Sequence, residues 1–492
     1  MKGHMMTFTS FRFAAFFIIL FAVYWAIPSR YRWICLLISD GVFYAFAGIP
    51  YLILLAFSIL WSYLTGLWIS VADTIPARRR RLIPGVCAAV LILAFFKYGT
   101  GLLNAVSSLA FIPQAWRMSA QTARIAMPLG ISFYTFQIIG YLADLCEMRI
   151  PAERHLGYYA LFVSFFPQIA SGPIGRAGKL LPQFREEHRF SYDKASVGIR
   201  LIVWGCFKKL VIANTLADRV NQYFDNIHSY VGLILLAAII MYAFQIYCDF
   251  SGYTDIALGC ASLLGISLPE NFSCPYFSRS PKEFWSRWHI SLSSWLRDYI
   301  YIPLGGNRKG TLRTYLNIMI TFLISGLWHG TGVTYIIWGL LHGLYQVAAR
   351  FFGRLSRARN RDHSTSSVPV RFIEWLATFT CVCFAWLFFR ADSLSDAIYA
   401  MIKIPLGASD PVDYLKTAVI SSGMSYIQMA VITAELLVLF IADRMTLHGR
   451  SPMHRISGLH PVIRYCLYAL FLVFILIFSE KGVSTGFIYA QF

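Results

Sequence analysis

Acidic residues are scarce in this 492-residue chain. It has 24 Asp and Glu against 43 Lys and Arg, and all four together make only 14% of the residues, where an average soluble domain carries roughly 25%. So few charges cannot keep the surface of a soluble fold of this length wetted, and the chain calls for an apolar solvent. Nucleotide-binding signatures are missing as well. There is no P-loop and no Gly-x-Gly-x-x-Gly fingerprint, which removes the common phosphate cradles. No soluble α/β pattern exists on which a Ser-His-Asp hydrolase could mount its nucleophile. Cysteine is not organised for metal either. The ten cysteines show no paired spacing, and most sit in apolar runs, where a free thiol serves as a small hydrophobe. Cys381-Val382-Cys383 lacks the second pair or nearby histidine that a four-ligand zinc site requires, so no metal is expected.

What the chain has is apolar surface: 57% hydrophobic residues and 16% aromatic, with a mean hydropathy of +0.58. Apolar runs of helical length recur near residues 11–27, 33–47, 51–72, 82–96, 128–145, 156–172, 197–217, 231–250, 315–328, 334–350, 370–389, 426–443 and 465–479. Several fall short of the roughly 20 residues a full span needs, so the expected fold is all-α and polytopic, with about ten or eleven transmembrane helices and the rest re-entrant or interfacial. The first run lacks a small-residue cleavage site and reads as a retained helix rather than a signal peptide. No internal repeat appears. The longest candidate soluble stretches are 268–314 and 390–425, and the whole chain, 1–492, reads as one integral membrane domain.

The net charge of +19 gathers between the apolar runs. That is the pattern of cytoplasmic loops beside anionic lipid, not of a nucleic-acid surface. Arg78-Arg79-Arg80-Arg81 follows the third run, so counting back three crossings puts the N-terminus outside. Three later groups are cytoplasmic by the same rule: Arg308, Lys309 and Arg313; Arg350, Arg354, Arg357, Arg359 and Arg361; and Arg444, Arg450 and Arg455. Residues 358–368 read as a flexible polar loop. The segment 315–350 must therefore enter the membrane and return, turning at Trp328-His329-Gly330-Thr331-Gly332. About 14 helical residues ahead of His329 rise roughly 21 Å. In a hydrocarbon core roughly 30 Å thick, His329 lies deep and nearer the outer face.

Of eleven histidines, His289, His329 and His342 fall in apolar or amphipathic settings. An ionisable residue inside a membrane segment is a functional candidate by default; the structural alternative is a neutral imidazole bonded between packed helices. Ser325-Gly326-Leu327-Trp328-His329-Gly330 flanks its histidine with glycines that admit close approach, and imidazole suits a general base that removes a hydroxyl proton. Ser280-Pro281-Lys282-Glu283 is a helix start with a capping box. It opens an amphipathic, tryptophan-rich helix in which His289 shares a stripe with Trp285, Leu292 and Leu296. Asp249, within Gln245–Asp255, closes an apolar run six residues before Asp255. At membrane depth it needs a partner: a backbone amide or an arginine, or else a histidine or substrate hydroxyl that it aligns.

Taken together, these elements resemble the membrane-bound O-acyltransferase family, and within it the bacterial branch of surface-polymer acetylation. The resemblance rests on Phe244-Gln245-Ile246-Tyr247-Cys248-Asp249-Phe250-Ser251-Gly252-Tyr253, Phe284-Trp285-Ser286-Arg287-Trp288-His289-Ile290-Ser291-Leu292-Ser293, Trp295-Leu296-Arg297-Asp298-Tyr299, Tyr301-Ile302-Pro303-Leu304-Gly305-Gly306-Asn307-Arg308, Gly326-Leu327-Trp328-His329-Gly330 and Phe388-Phe389-Arg390-Ala391. It implies helices arranged around a central funnel, a family core over about 120–400, a catalytic role for His329 and a second essential position at His289. Arg287, Trp288, Asp298 and Trp328 would shape the site and Asp249 would order it. No bound cofactor is implied. An acyl thioester donor, acetyl-CoA or another, would load from the cytoplasm, with His329 as general base or acyl relay. An extracytoplasmic esterase-like (SGNH) partner protein would complete transfer to a polysaccharide such as alginate or peptidoglycan, in the bacterial inner membrane among its lipids. D-alanyl transfer to teichoic acid is the neighbouring alternative. A proton-coupled transporter or flippase and a non-catalytic scaffold are the alternatives of other classes.

Overall fold

The computed structural model describes residues 6–107, 125–358, 367–449, 456, 458–479 and 487. Among them the regular structure is entirely helical, which matches the all-α expectation. Among the described residues five helices are long and apolar enough to cross a membrane: Ile49–Ser70, Ile75–Asn104, Leu233–Leu263, Val368–Arg390 and Tyr426–Leu447. Phe11–Ala26, Ile131–Cys146 and Pro461–Ile477 are shorter apolar helices. Most of the 358–368 loop and part of the basic group at Arg359 and Arg361 lie outside the described residues. Among the described residues two compact units can be distinguished, one within 6–202 and 253–269, the other within 203–252 and 270–487.

In the first unit the helices are patterned for lipid. Ile49–Ser70 buries Leu55, Ser58, Ile59, Ser62, Gly66 and Ile69, at spacings of three and four, and exposes Ile53, Phe57, Leu60, Leu64 and Trp68. Its small and polar residues Ser58, Ser62 and Gly66 face inward beside Leu55, Ile59 and Ile69, and its outward face is bulky and apolar, as expected when helices associate by close packing in a hydrocarbon solvent. The serines are satisfied along the helix: Ser58 Oγ donates to Leu54 O at 2.8 Å and Ser62 Oγ to Ser58 O at 2.6 Å. Gly198 and Gly259 serve the same close packing, since a methyl on either would stand within 3 Å of the other's carbonyl oxygen. Part of the arginine run is structural. Arg78 to Arg81 lie in the first turns of the helix Ile75–Ser107. The Arg78 guanidinium donates to Ser70 O, Ala72 O and Leu145 O at 2.8–3.1 Å. It satisfies carbonyls at the ends of two other helices, where a cation is favoured.

In the second unit, Thr311–His329 and Val333–Ala358 form the hairpin the sequence implies, joined through Gly330-Thr331-Gly332. Glycine sets how closely the helices approach. A methyl on Gly326 would stand 2.4 Å from Tyr335 O, and one on Gly339 2.4 Å from Phe322 O.

The stretch 268–314 packs into the fold, with Phe284, Trp285, Trp288, Leu292, Trp295 and Leu296 all buried. The spacing of the apolar residues predicts that the helix opening at Pro281 runs on to Tyr299, and it does not. It stops at Arg287, Trp288 is extended, His289 is left-handed (φ 43°), and a new helix runs Ile290–Leu296 into a π-helical turn Arg297–Tyr301. The reason is competition for hydrogen bonds. Arg287 O accepts the Ser273 N–H and the Ile290 N–H donates to Asn271 O, both at 3.0 Å, so a distant segment takes groups that a continuous helix would use internally. The helix start is as expected in Ser280, which caps the Glu283 N–H at 3.2 Å. The Glu283 carboxylate, however, accepts from the Arg279 N–H and pairs with Arg287 instead of closing a capping box.

Candidate active site

His329 is the last residue of its helix and is buried. Its imidazole is walled by Trp328 and Trp338, each at 4.8 Å between ring centroids, and by Phe389 at 5.3 Å. Gly330 makes the turn possible, because the Tyr335 ring lies where its side chain would be. Trp328 is also the link to the second histidine: His289 meets its ring edge-on at 6.3 Å. His289 is fully buried and abuts Phe250 at 4.7 Å, and its Nδ1 lies 3.1 Å from Asn271 Oδ1. His289 lies in the segment between the long apolar helices, and burial draws its imidazole pKa below the usual value by disfavouring the charged form.

Trp288 connects the same cluster from the other side, through Trp386 at 5.0 Å and from there to Phe389 at 5.3 Å. Of the positions singled out in the sequence, His289, His329, Trp288 and Trp328 thus belong to one connected group of rings. Arg287 flanks it, partly exposed and paired with Glu283 at 2.8 Å. Asp298 sits on the π-helical turn, paired with the exposed Arg297 at 2.8 Å.

Asp249 forms an ion pair with Lys209, a partner the sequence reading does not name, and both are buried. The lysine comes from a second π-helical turn, Phe207–Ala213, a distortion that often marks functional positions. Gly252 lets that turn come close: a methyl there would stand 2.8 Å from Gly205 O and 3.1 Å from Lys209 N. Lys208 donates to Ser251 Oγ at 2.8 Å, and Tyr247 OH to Asp443 Oδ2 at 2.9 Å. Asp249 thereby fixes the stretch whose next residue, Phe250, rests against His289.

His342, the third histidine in an apolar setting, joins the group through Trp338 at 4.9 Å, and its Nδ1 accepts from Trp285 Nε1–H at 3.2 Å. Trp338 and His342 lie four residues apart on one helix, a spacing that puts them on one face and could have flagged Trp338. Asn271 carried no signal, standing in an irregular segment without periodicity. Gly482-Val483-Ser484-Thr485-Gly486 has a nucleophile-elbow spacing, yet it follows a helix rather than a strand and lies outside the described residues. Among the described residues no three metal-ligating side chains stand together.

Comparison with known proteins agrees with the resemblance read from the motifs. The family model described as MBOAT, membrane-bound O-acyltransferase family, matches residues 151–389, a stretch that holds both histidines. A Pseudomonas putida protein named "Probable alginate O-acetylase AlgI" is 40% identical over 397 residues, covering 79% of this chain and 78% of its own length. A Helicobacter pylori peptidoglycan O-acetyltransferase is 35% identical over 461 residues, 88% of this chain and 82% of the relative. A Bacillus subtilis teichoic acid D-alanyltransferase is 30% identical over 277 residues, 53% of this chain and 68% of the relative.

Proposed function

The chain belongs to the membrane-bound O-acyltransferase family and is an acyltransferase, and from that premise we propose that it carries acetyl groups from a cytoplasmic thioester donor, acetyl-CoA or a related thioester, to hydroxyls of an extracytoplasmic polysaccharide. The observation that carries the reading is the pair of buried histidines, His329 and His289, both set against the ring of Trp328. The acceptor is an alginate-like exopolysaccharide or peptidoglycan, the polymers in the names of the relatives. A partner with an extracytoplasmic esterase-like (SGNH) domain completes the transfer.

In this reading His329 is the general base. It takes the proton of an acceptor hydroxyl, on the polymer or on the partner. The hydroxyl oxygen attacks the thioester carbonyl carbon, the C–O bond forms as the C–S bond breaks, and the thiolate leaves with the electron pair and receives the proton from His329. His289 assists, Arg287, Trp288, Trp328 and Asp298 shape the site, and Asp249 orders it. The walls of Trp328, Trp338 and Phe389 around His329 keep water from a thioester that would otherwise hydrolyse.

The protein resides in the bacterial cytoplasmic membrane as a single domain, N-terminus outside, with both feet of the hairpin cytoplasmic. The helix Thr311–His329 has 19 residues, a rise of roughly 27 Å from its first residue to its last, which carries His329 toward the outer face where the acceptor arrives.

The test is a His329→Ala variant that inserts at the normal level. Base-releasable acetyl on the surface polysaccharide is expected to vanish; acetyl retained at the parental level refutes the mechanism. Release of D-alanine in place of acetate would move the acceptor to teichoic acid. Cysteine accessibility that puts both ends of 315–350 outside would overturn the orientation.

A further inference from the structure

His289 holds a backbone conformation, φ 43° and ψ 54°, that residues other than glycine seldom adopt. Such a conformation persists where its surroundings over-determine it. Asn271 supplies that constraint. Its main-chain carbonyl accepts the Ile290 N–H at 3.0 Å. Its side-chain Oδ1 accepts from Ser291 N–H at 3.1 Å and from Ser291 Oγ–H at 2.9 Å, and lies 3.1 Å from His289 Nδ1.

These contacts fix more than geometry. A backbone N–H can only donate, so the Asn271 atom facing Ser291 N is the amide oxygen and not the amide nitrogen. An amide oxygen can only accept. His289 Nδ1 therefore carries a proton and donates it. Burial keeps the ring neutral, and a neutral imidazole protonated on Nδ1 has its lone pair on Nε2.

We propose that Asn271 is a positioning residue that holds His289 as its Nδ1–H tautomer, so that His289 Nε2 serves the acyltransferase site as a proton acceptor. This rests on the reading of His289 as a site residue. His342 is set the opposite way. The Trp285 indole N–H is an obligate donor and points at His342 Nδ1 at 3.2 Å, so that ring carries its proton on Nε2. Of these two buried histidines, only His289 offers a basic Nε2. A hydroxyl or thiol brought to it finds an acceptor, whereas a carbonyl oxygen, which needs a donor, does not.

Magic-angle-spinning NMR of the full chain, labelled with 15N,13C-histidine and held in lipid bilayers, reads the tautomer directly. The resonance absent from a His289→Gln sample assigns the ring. The wild-type ring is expected to be protonated on Nδ1 and unprotonated on Nε2 at neutral pH. Asn271→Asp retains acceptor oxygens and adds a negative charge beside the ring, so the imidazole should titrate higher by about one pH unit or more. Asn271→Leu removes the acceptor, and the signal should divide between tautomers. A wild-type His289 protonated on Nε2, or an Asn271→Asp ring that titrates like the wild type, overturns the proposal. Neither measurement involves a substrate, so the tautomer can be refuted while the acetyl-transfer reading stands, and the reverse.

Discussion

Replacing Gly330 by alanine measures how tightly His329 is seated. The backbone at Gly330 is extended, φ −164° and ψ 172°, which alanine adopts without strain, so any effect comes from space. The new methyl would stand 2.2 Å from Cδ2 and Cε2 of Tyr335. Ordinary carbon contacts lie at about 3.5–4.0 Å, so the ring must withdraw by roughly 1.5 Å. Tyr335 packs on Phe389 at 5.1 Å, and Phe389 on His329 at 5.3 Å, which carries the displacement into the wall of the site. Overpacking of this kind costs about 1–3 kcal/mol, and misplacing a reacting group by about 1 Å can cost about 100-fold in rate. Gly330→Ala should insert normally, melt lower in detergent, and leave surface O-acetyl about 10- to 100-fold reduced. Adding Tyr335→Leu removes the clashing ring and should recover about tenfold, a coupling expected of residues in contact. Gly326→Ala supplies the contrast. Its methyl meets the Tyr335 carbonyl oxygen at 2.4 Å, a backbone atom that cannot swing aside, so the folded protein itself should be lost. Parental acetylation and melting in Gly330→Ala would refute the argument, because it would mean that the Tyr335 ring moves away without disturbing His329.

Two further outcomes concern stability. Lys209→Met leaves Asp249 buried without its ion partner and should destabilise by about 3–5 kcal/mol, while Lys209→Met with Asp249→Leu should regain much of that; melting of the single and double variants, with equal loss in both as the contrary result, decides. Arg78→Met strips donors from three helix-end carbonyls. It should lower stability by about 1–3 kcal/mol while sparing acetylation in the protein that folds, whereas Arg79→Met, whose pair with Glu147 is exposed, should change melting little.

The hairpin was legible because its cues are local: apolar runs on either side, glycines at 326, 330 and 332, and basic feet. His329 at its tip followed from those cues alone. His289 was harder. The pattern Phe284, Trp288, Leu292 and Trp295 keeps helical spacing across a break that exists because Asn271 and Ser273 capture backbone groups from outside. No local preference at Trp288 or His289 announces that capture. Asp249 was recognisable as a buried carboxylate in need of a partner, but its partner arises from a π-helical turn some forty residues earlier in the chain, and periodicity of 3.6 gives no hint of a turn that departs from it. His342 stood out as a histidine in an apolar run, but its partners Trp285 and Trp338 meet it only through tertiary packing.

The π-helical turn Phe207–Ala213 also has a meaning for how this chain tolerates length changes. Such a turn behaves as an α-helix carrying one extra residue. Removing a single residue from it would let the helix close into regular α-form, rotating the helix beyond the turn by about 100° against the helix before it. Lys208 and Lys209 would then no longer both face Ser251 and Asp249, although every residue of the ionic cluster was still encoded. A one-residue deletion here is therefore a change of phase rather than a loss of contacts, and substitutions that keep the count should be borne far better than a deletion that shortens it.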